Sequence, residues 1–131
     1  LRKHIVEATS FVTGSEMSYQ HIFPFFRYAE VLLNYAEALA AATQNPDFTG
    51  MKGEVEYTLS PREALNAVRA RYNMPGITET DYAAFVKRLR NERRVELAFE
   101  GHRFWDIRRW KIGAETTKVY GNSQTDKNTI R

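Results

Sequence analysis

The sequence predicts an all-α domain of helical hairpins joined by irregular loops. Three observations predict it: a 3.6-residue apolar periodicity over separate segments, helix-capping residues at the start of two of them, and polar Gly- and Pro-bearing stretches in between. The 131 residues are 43% hydrophobic and 27% charged, with 19 Lys plus Arg against 16 Asp plus Glu, the balance of one globular domain. A chain of this size buries roughly two-thirds of its unfolded surface, so a core forms without covalent staples. There is no cysteine, which excludes disulfides, thiolate chemistry and Cys-based zinc sites. The longest apolar run, within 31–42, is broken by Asn34 and Glu37, far short of the ~20 residues of a membrane span.

Residues 1–24 scatter Ile5, Val6, Phe11 and Val12 among Thr, Ser and Gly, a pattern of extended or irregular chain that Pro24 punctuates. Over about 26–42, Tyr28, Ala29, Leu32, Leu33, Tyr35, Ala36, Leu39 and Ala40 fall on one helical face, with Arg27, Glu30, Asn34 and Glu37 on the other. Residues 43–59 contain Pro46, Gly50 and Gly53 and read as a long connection with a short strand over 55–59. Ser60, Pro61 and Glu63 then form a capping-box signature, starting a second helix over 61–72 that buries Ala64, Leu65 and Val68 and stops before Pro75 and Gly76. Thr80 or Asp81 caps a third helix over 81–99, carrying Tyr82, Phe85, Val86 and Leu89, with Gly101 as its stop. Residues 102–110 make a short fourth helix that offers Phe104, Trp105, Ile107 and Trp110 for packing. Beyond Gly113 the chain turns polar and aperiodic, as in a loop or partly disordered tail. The helical core therefore spans about 25–112 in antiparallel succession, tetratricopeptide-like in arrangement but without a residue-by-residue repeat.

The third helix carries Arg93, Glu96 and Glu100 on the stripe that should face the core. Charges there are costly unless paired, and their spacing makes pairing available. Val95 and Phe99 on the opposite flank predict that this helix is covered on more than one side. Two readings compete for Glu92, Glu96, Glu100 and Asp106: a general acid and base, as in glycoside hydrolysis, or a buried arginine and carboxylate lattice that fixes how the third and fourth helices cross. The lattice is favoured. It places Arg93 in the interior, paired with Glu96, Glu100 or Glu37, and turns Arg94 to solvent.

His4, His21 and His102 lack helical i, i+4 partners, so no metal is expected, and no Gly-rich phosphate loop points to a cofactor. From Lys87 to Lys111 nine basic residues alternate with four acids; we read this as a solvated, salt-bridged helix face rather than a nucleic-acid surface. Trp105, Trp110, Tyr57 and Tyr120 have the ring faces that sugars stack on. Packing is the expectation for the two tryptophans and exposure for the loop tyrosines.

Three segments, PFFRYAEVLLNYAEALA (24–40), SPREALNAVRARYNMP (60–75) and above all LRNERRVELAFEGHRFWDIRRWKIG (89–113), resemble the C-terminal helical region of the SusD/RagB family. Glu92, Arg93, Glu96, Glu100, Gly101, Arg103, Asp106, Arg109 and Trp110 match the family pattern in order and spacing. Arg27, Ala29, Glu30, Leu33, Ala36, Glu37 and Ala38 match its preceding helix; 1–23, 43–59 and 114–131 carry none of it. The resemblance implies the C-terminal part of a SusD-like fold in a surface-exposed outer-membrane lipoprotein of the Bacteroidetes type. It further implies capture of oligosaccharides or other nutrients together with a SusC-like TonB-dependent transporter, binding rather than enzymatic activity, no cofactor, no nucleic-acid partner, and membrane contact only through a lipid anchor outside these residues. The motif residues read as architectural, and no ligand contact is carried over. Because family members run to several hundred residues and this chain opens on Leu1 without a leader, 1–131 is expected to be a single-domain fragment. The alternative function class is a helical-hairpin module that binds a protein partner.

Overall fold

The computed structural model describes residues 12–14, 25–116, 124–126 and 129–130. The expectations for the rest of 1–24, with His4 and His21, and for Tyr120 lie outside the described residues. Helix α1 (Tyr28–Thr43) follows from a run of Ala and Leu without a breaker, and it ends where Gln44 turns left-handed (φ 54°) and returns its N–H to the Ala40 carbonyl. Its face of Ala29, Leu32, Leu33, Ala36 and Ala40 forms the core with Ala64, Leu65, Val68, Ile77, Phe85, Leu89 and Leu97.

The long connection after α1 holds a hairpin, β1 (Gly50–Lys52) antiparallel to β2 (Val55–Tyr57), with Gly50 opposite Tyr57 and Lys52 opposite Val55. Gly53, at φ 63°, makes the tight turn. The predicted strand thus ends at Tyr57, and its partner β1 was not foreseen. The hairpin rests on α1 through Tyr35, whose hydroxyl donates to the Leu59 carbonyl at 2.5 Å and whose ring lies 6.3 Å from Tyr57.

Helix α2 (Pro61–Ala70) starts on the expected capping box: the Ser60 Oγ accepts from the Glu63 N–H at 3.2 Å, and the Glu63 carboxylate accepts from the Ser60 N–H at 2.8 Å. It ends two residues before the predicted Tyr72, because Tyr72 and Asn73 bond back to Arg69 and Ala70 in a tightened last turn. The chain then runs back along α2: Arg69 donates to the Pro75 carbonyl, Asn66 holds both backbone groups of Ile77, and Arg62 reaches the Thr78 carbonyl. Helix α3 (Tyr82–Glu96), capped by Asp81, consequently sets out parallel to α2. The expected antiparallel succession holds within α1–α2 and within α3–α4 but fails between α2 and α3, since three α2 side chains satisfy the returning backbone.

Helix α3 stops at Glu96, not Phe99. The guanidinium of Arg27 occupies the Glu96 carbonyl at 2.8 Å, and Phe99 (φ 65°) and Gly101 (φ 80°) take left-handed conformations. Gly101 is therefore the N-cap residue of α4 (His102–Arg109), not the cap of α3. Val95 and Phe99 are 62% and 69% exposed, so the expected second covering of α3 is absent at these positions among the described residues. Beyond α4 lie a 3-10 turn (Gly113–Thr116) and, in the tail read as loop, strand β3 (Gln124–Asp126) paired antiparallel with β4 (Thr129–Ile130).

Candidate functional site

Arg27, Glu30, Asn34 and Glu37 recur at spacings of three and four and form one stripe along α1. That stripe packs against α3 and α4. Arg27 grips the end of α3, donating to a Glu96 carboxylate oxygen at 2.6 Å and to Glu100 at 2.9 Å. These bonds, that to Glu100 foremost, outweigh burial and hold the guanidinium above its ordinary range. Glu30 lies 3.6 Å from His102. Asn34 accepts from Arg93 at 2.5 Å, and Glu37 accepts from both terminal nitrogens of Arg109 and, at 2.7 Å, from the Trp110 indole.

Arg93 sits at the centre with its side chain 4% exposed. Its carboxylate partners are Asp106, at 3.2 and 3.3 Å, and Glu37, at 3.9 Å. Of the three partners predicted for Arg93, only Glu37 is within ion-pair distance; Glu96 and Glu100 belong to Arg27. Asp106 is shared, accepting from Arg109 at 2.9 Å as well. Glu92, on the other side of α3, pairs with Arg69 at 2.5 Å. Burial alone would raise the Glu37 carboxyl, but the Arg109 and Trp110 hydrogen bonds and the Arg109 and Arg93 charges outweigh it and hold the group below the usual carboxylate range. Glu37 in turn holds the Arg109 guanidinium above its own.

Glu92, Glu96, Glu100 and Asp106 are all engaged by arginine. An acid and base pair needs one carboxyl group free to deliver a proton to a substrate; groups enclosed by guanidinium donors at the joints between helices are poorly placed to do so. Among the described residues no three His, Asp or Glu side chains are grouped to hold a metal.

Trp110 is half-buried between the guanidiniums of Arg109 and Arg90, whose carbons lie 4.7 and 4.9 Å from its ring. Trp105 departs from the expected packing: it is 66% exposed, edge-on to Phe104 at 5.0 Å. Tyr57 is only partly exposed, because Tyr35 and Phe48 pack on it. Arg103, the remaining motif residue, joins no carboxylate among the described residues. It lines an open groove of about 770 Å³ along the outer face of α3, together with Lys87, Arg88, Arg90 and Arg94. The basic run between 87 and 111 is therefore divided: Arg88, Arg93 and Arg109 are salt-bridged as expected, whereas among the described residues the four cations Lys87, Arg90, Arg94 and Arg103 facing the groove join no ion pair.

Arg27, Asn34 and Arg69 were missed as lattice members. For Arg27 and Asn34 the signal was a polar stripe with helical spacing on the supposed outer face of α1, matched by charged residues on the supposed inner face of α3; Arg69, on α2, lies outside that stripe.

Fold and lattice together define a scaffold of two helical hairpins cross-linked by arginines, with the buried Arg93 at the centre. Residues 1–130 match the SusD family, and the chain belongs to that family. It is similar to SusD-like protein P2 of Formosa agariphila, with 39% identity over 93 residues, covering 68% of this chain and 17% of that protein. It also resembles the crystal structure of a SusD-like protein from Bacteroides fragilis, with a TM-score of 0.62 and 40% identity, covering 78% of this chain and 18% of that one. The chain thus spans less than a fifth of either relative. No helix among the described residues is long and apolar enough to cross a membrane.

Proposed function

We propose that this chain serves nutrient capture at the cell surface, as part of a SusD-like lipoprotein that binds oligosaccharides and delivers them to a SusC-like TonB-dependent transporter in the outer membrane. The observation that carries the proposal is the family match over residues 1–130, in which the motif residues act as architecture. Arg27, Arg93 and Arg109 lock the hairpins, and the arginine-engaged carboxylates favour binding over catalysis. The unit acts as the C-terminal portion of a longer polypeptide, its hairpins contributing to a tetratricopeptide-like array. Phe25, Phe26, Val95, Phe99 and Trp105, all exposed here, supply an apolar surface for the remainder of such a chain to cover.

The test is calorimetric titration with a panel of oligosaccharides, paired with co-purification of the tagged protein with outer-membrane transporters. Saccharide binding together with a SusC-like partner is expected. Transporter binding with no saccharide bound would favour the alternative of a helical protein-interaction module, and failure of both would remove the proposal.

A further inference from the structure

The geometry points to the groove on the outer face of α3 as a binding site for an anionic saccharide, one bearing uronate carboxylates or sulfate esters. This rests on the saccharide reading above and adds a place and a charge to it. Five cations line the groove, Lys87, Arg88, Arg90, Arg94 and Arg103, against the carboxylates of Glu79 and Glu115. Glu79 is taken by Arg88 at 2.6 Å. Lys87, Arg90, Arg94 and Arg103 then face a single remaining carboxylate, and among the described residues none of the four joins an ion pair.

Elsewhere among the described residues the arginines are differently placed. Arg27, Arg62, Arg69, Arg93 and Arg109 each hold a carboxylate, and Arg71 and Arg108 lie over the rings of Tyr72 and Phe104. Like charges gathered in one open groove repel one another, and an anion relieves that repulsion. Arg90 is held in place by Trp110, 4.9 Å away, and its buried Nε has no acceptor among the described residues, so its donor capacity is unmet. Guanidinium forks match planar carboxylates and sulfates in bidentate fashion. The cations extend along α3 from Lys87 to Arg94, about 10 Å at 1.5 Å per residue, so they offer a row of charge rather than one point. Among the described residues no aromatic side chain lines the groove, so these residues offer nucleic-acid bases no stacking platform.

The experiment titrates the full chain with an oligogalacturonate, a neutral maltooligosaccharide of equal length, an oligoglutamate peptide and a single-stranded oligonucleotide. Preferential binding of the oligogalacturonate is expected, weakening with added salt. Arg94→Gln and Arg103→Gln should each weaken it about tenfold, the loss of one charge-assisted hydrogen-bonding partner, whereas Arg71→Gln, away from the groove, should not. Unchanged affinity in both groove variants, or binding of the peptide or oligonucleotide as tight as that of the oligogalacturonate, overturns the inference. A neutral saccharide that binds regardless of Arg94 and Arg103, with no response to the oligogalacturonate, overturns it too while leaving the nutrient-capture reading intact.

Discussion

Removing the Arg93 guanidinium should destabilise the fold far more than removing that of its neighbour Arg94. Arg93 and Asp106 each have side chains 4% exposed, and Arg93 also donates to the side-chain amide oxygen of Asn34. Breaking a buried ion pair from one side costs about 3–5 kcal/mol, because the partner is left charged and dehydrated. Asp106 keeps Arg109 at 2.9 Å, which places Arg93→Ala toward the lower end, about 3 kcal/mol. Arg94 is exposed and joins no carboxylate among the described residues, so Arg94→Ala should stay within about 0.5 kcal/mol. For a chain of this length the difference corresponds to roughly 10 °C in Tm. Thermal and urea unfolding followed by circular dichroism would measure it. Arg93→Lys, which keeps the charge but loses the fork, should fall between wild type and Arg93→Ala, and it provides a readout if the alanine variant does not fold. Equal midpoints for Arg93→Ala and Arg94→Ala would refute the buried-lattice argument.

Three further outcomes are expected. Ser60→Ala removes the capping-box acceptor of α2 and should lower stability by about 1 kcal/mol; a urea midpoint unchanged within error would show that the cap is dispensable. Gly101→Ala meets nothing within 4 Å of the added Cβ, so its cost is purely that of a left-handed backbone at φ 80°, about 1 kcal/mol. A neutral result would mean the α3–α4 turn relaxes freely. Glu37, held below the usual carboxylate range once its arginine and indole partners outweigh burial, contributes stability that is complete above the unfolded glutamate value and fades as pH falls through the lower folded value. Glu37→Gln should therefore flatten the acid side of the stability profile, and an acid limb identical to that of wild type would contradict this assignment.

The sequence revealed most clearly what obeys a single local rule. The capping box at Ser60 and Glu63 was legible because both partners lie within one helical turn, and the apolar face of α1 because burial against α2 selects small and branched residues at 3.6-residue spacing. The end of α3 was not legible, since it depends on Arg27, 69 residues away in the chain, reaching the Glu96 carbonyl. The parallel run of α2 and α3 was hidden for a similar reason: Arg62, Asn66 and Arg69 hold the returning chain with side-chain hydrogen bonds, which leave no periodic trace. Strand β1 is three residues of Gly, Met and Lys, too short and too polar to stand out without its partner.

The same limit applies to the site. Periodicity divides α1 into an apolar side that should be buried and a polar side that should be wet, yet Arg27, Asn34 and Glu37 point into the joint with α3 and α4. Ion pairs in that joint are directional. A shift of α1 by one residue would turn Arg27 and Asn34 away from Glu96 and Arg93 and leave buried charges without partners, at several kcal/mol each, so the lattice sets the register that an alanine-rich surface alone would leave loose. Helix α3 then carries two separate charge systems on one element. Glu92, Arg93 and Glu96 face inward and fix the fold, while Lys87, Arg90 and Arg94 face the groove. Because the inward residues are buried and the groove residues reach solvent, substitutions at Arg93 and Arg94, adjacent in the chain and identical in chemistry, should separate stability from anion binding. Loss of folding from one and loss of the anionic saccharide from the other, without exchange of the two effects, is the pattern this division requires.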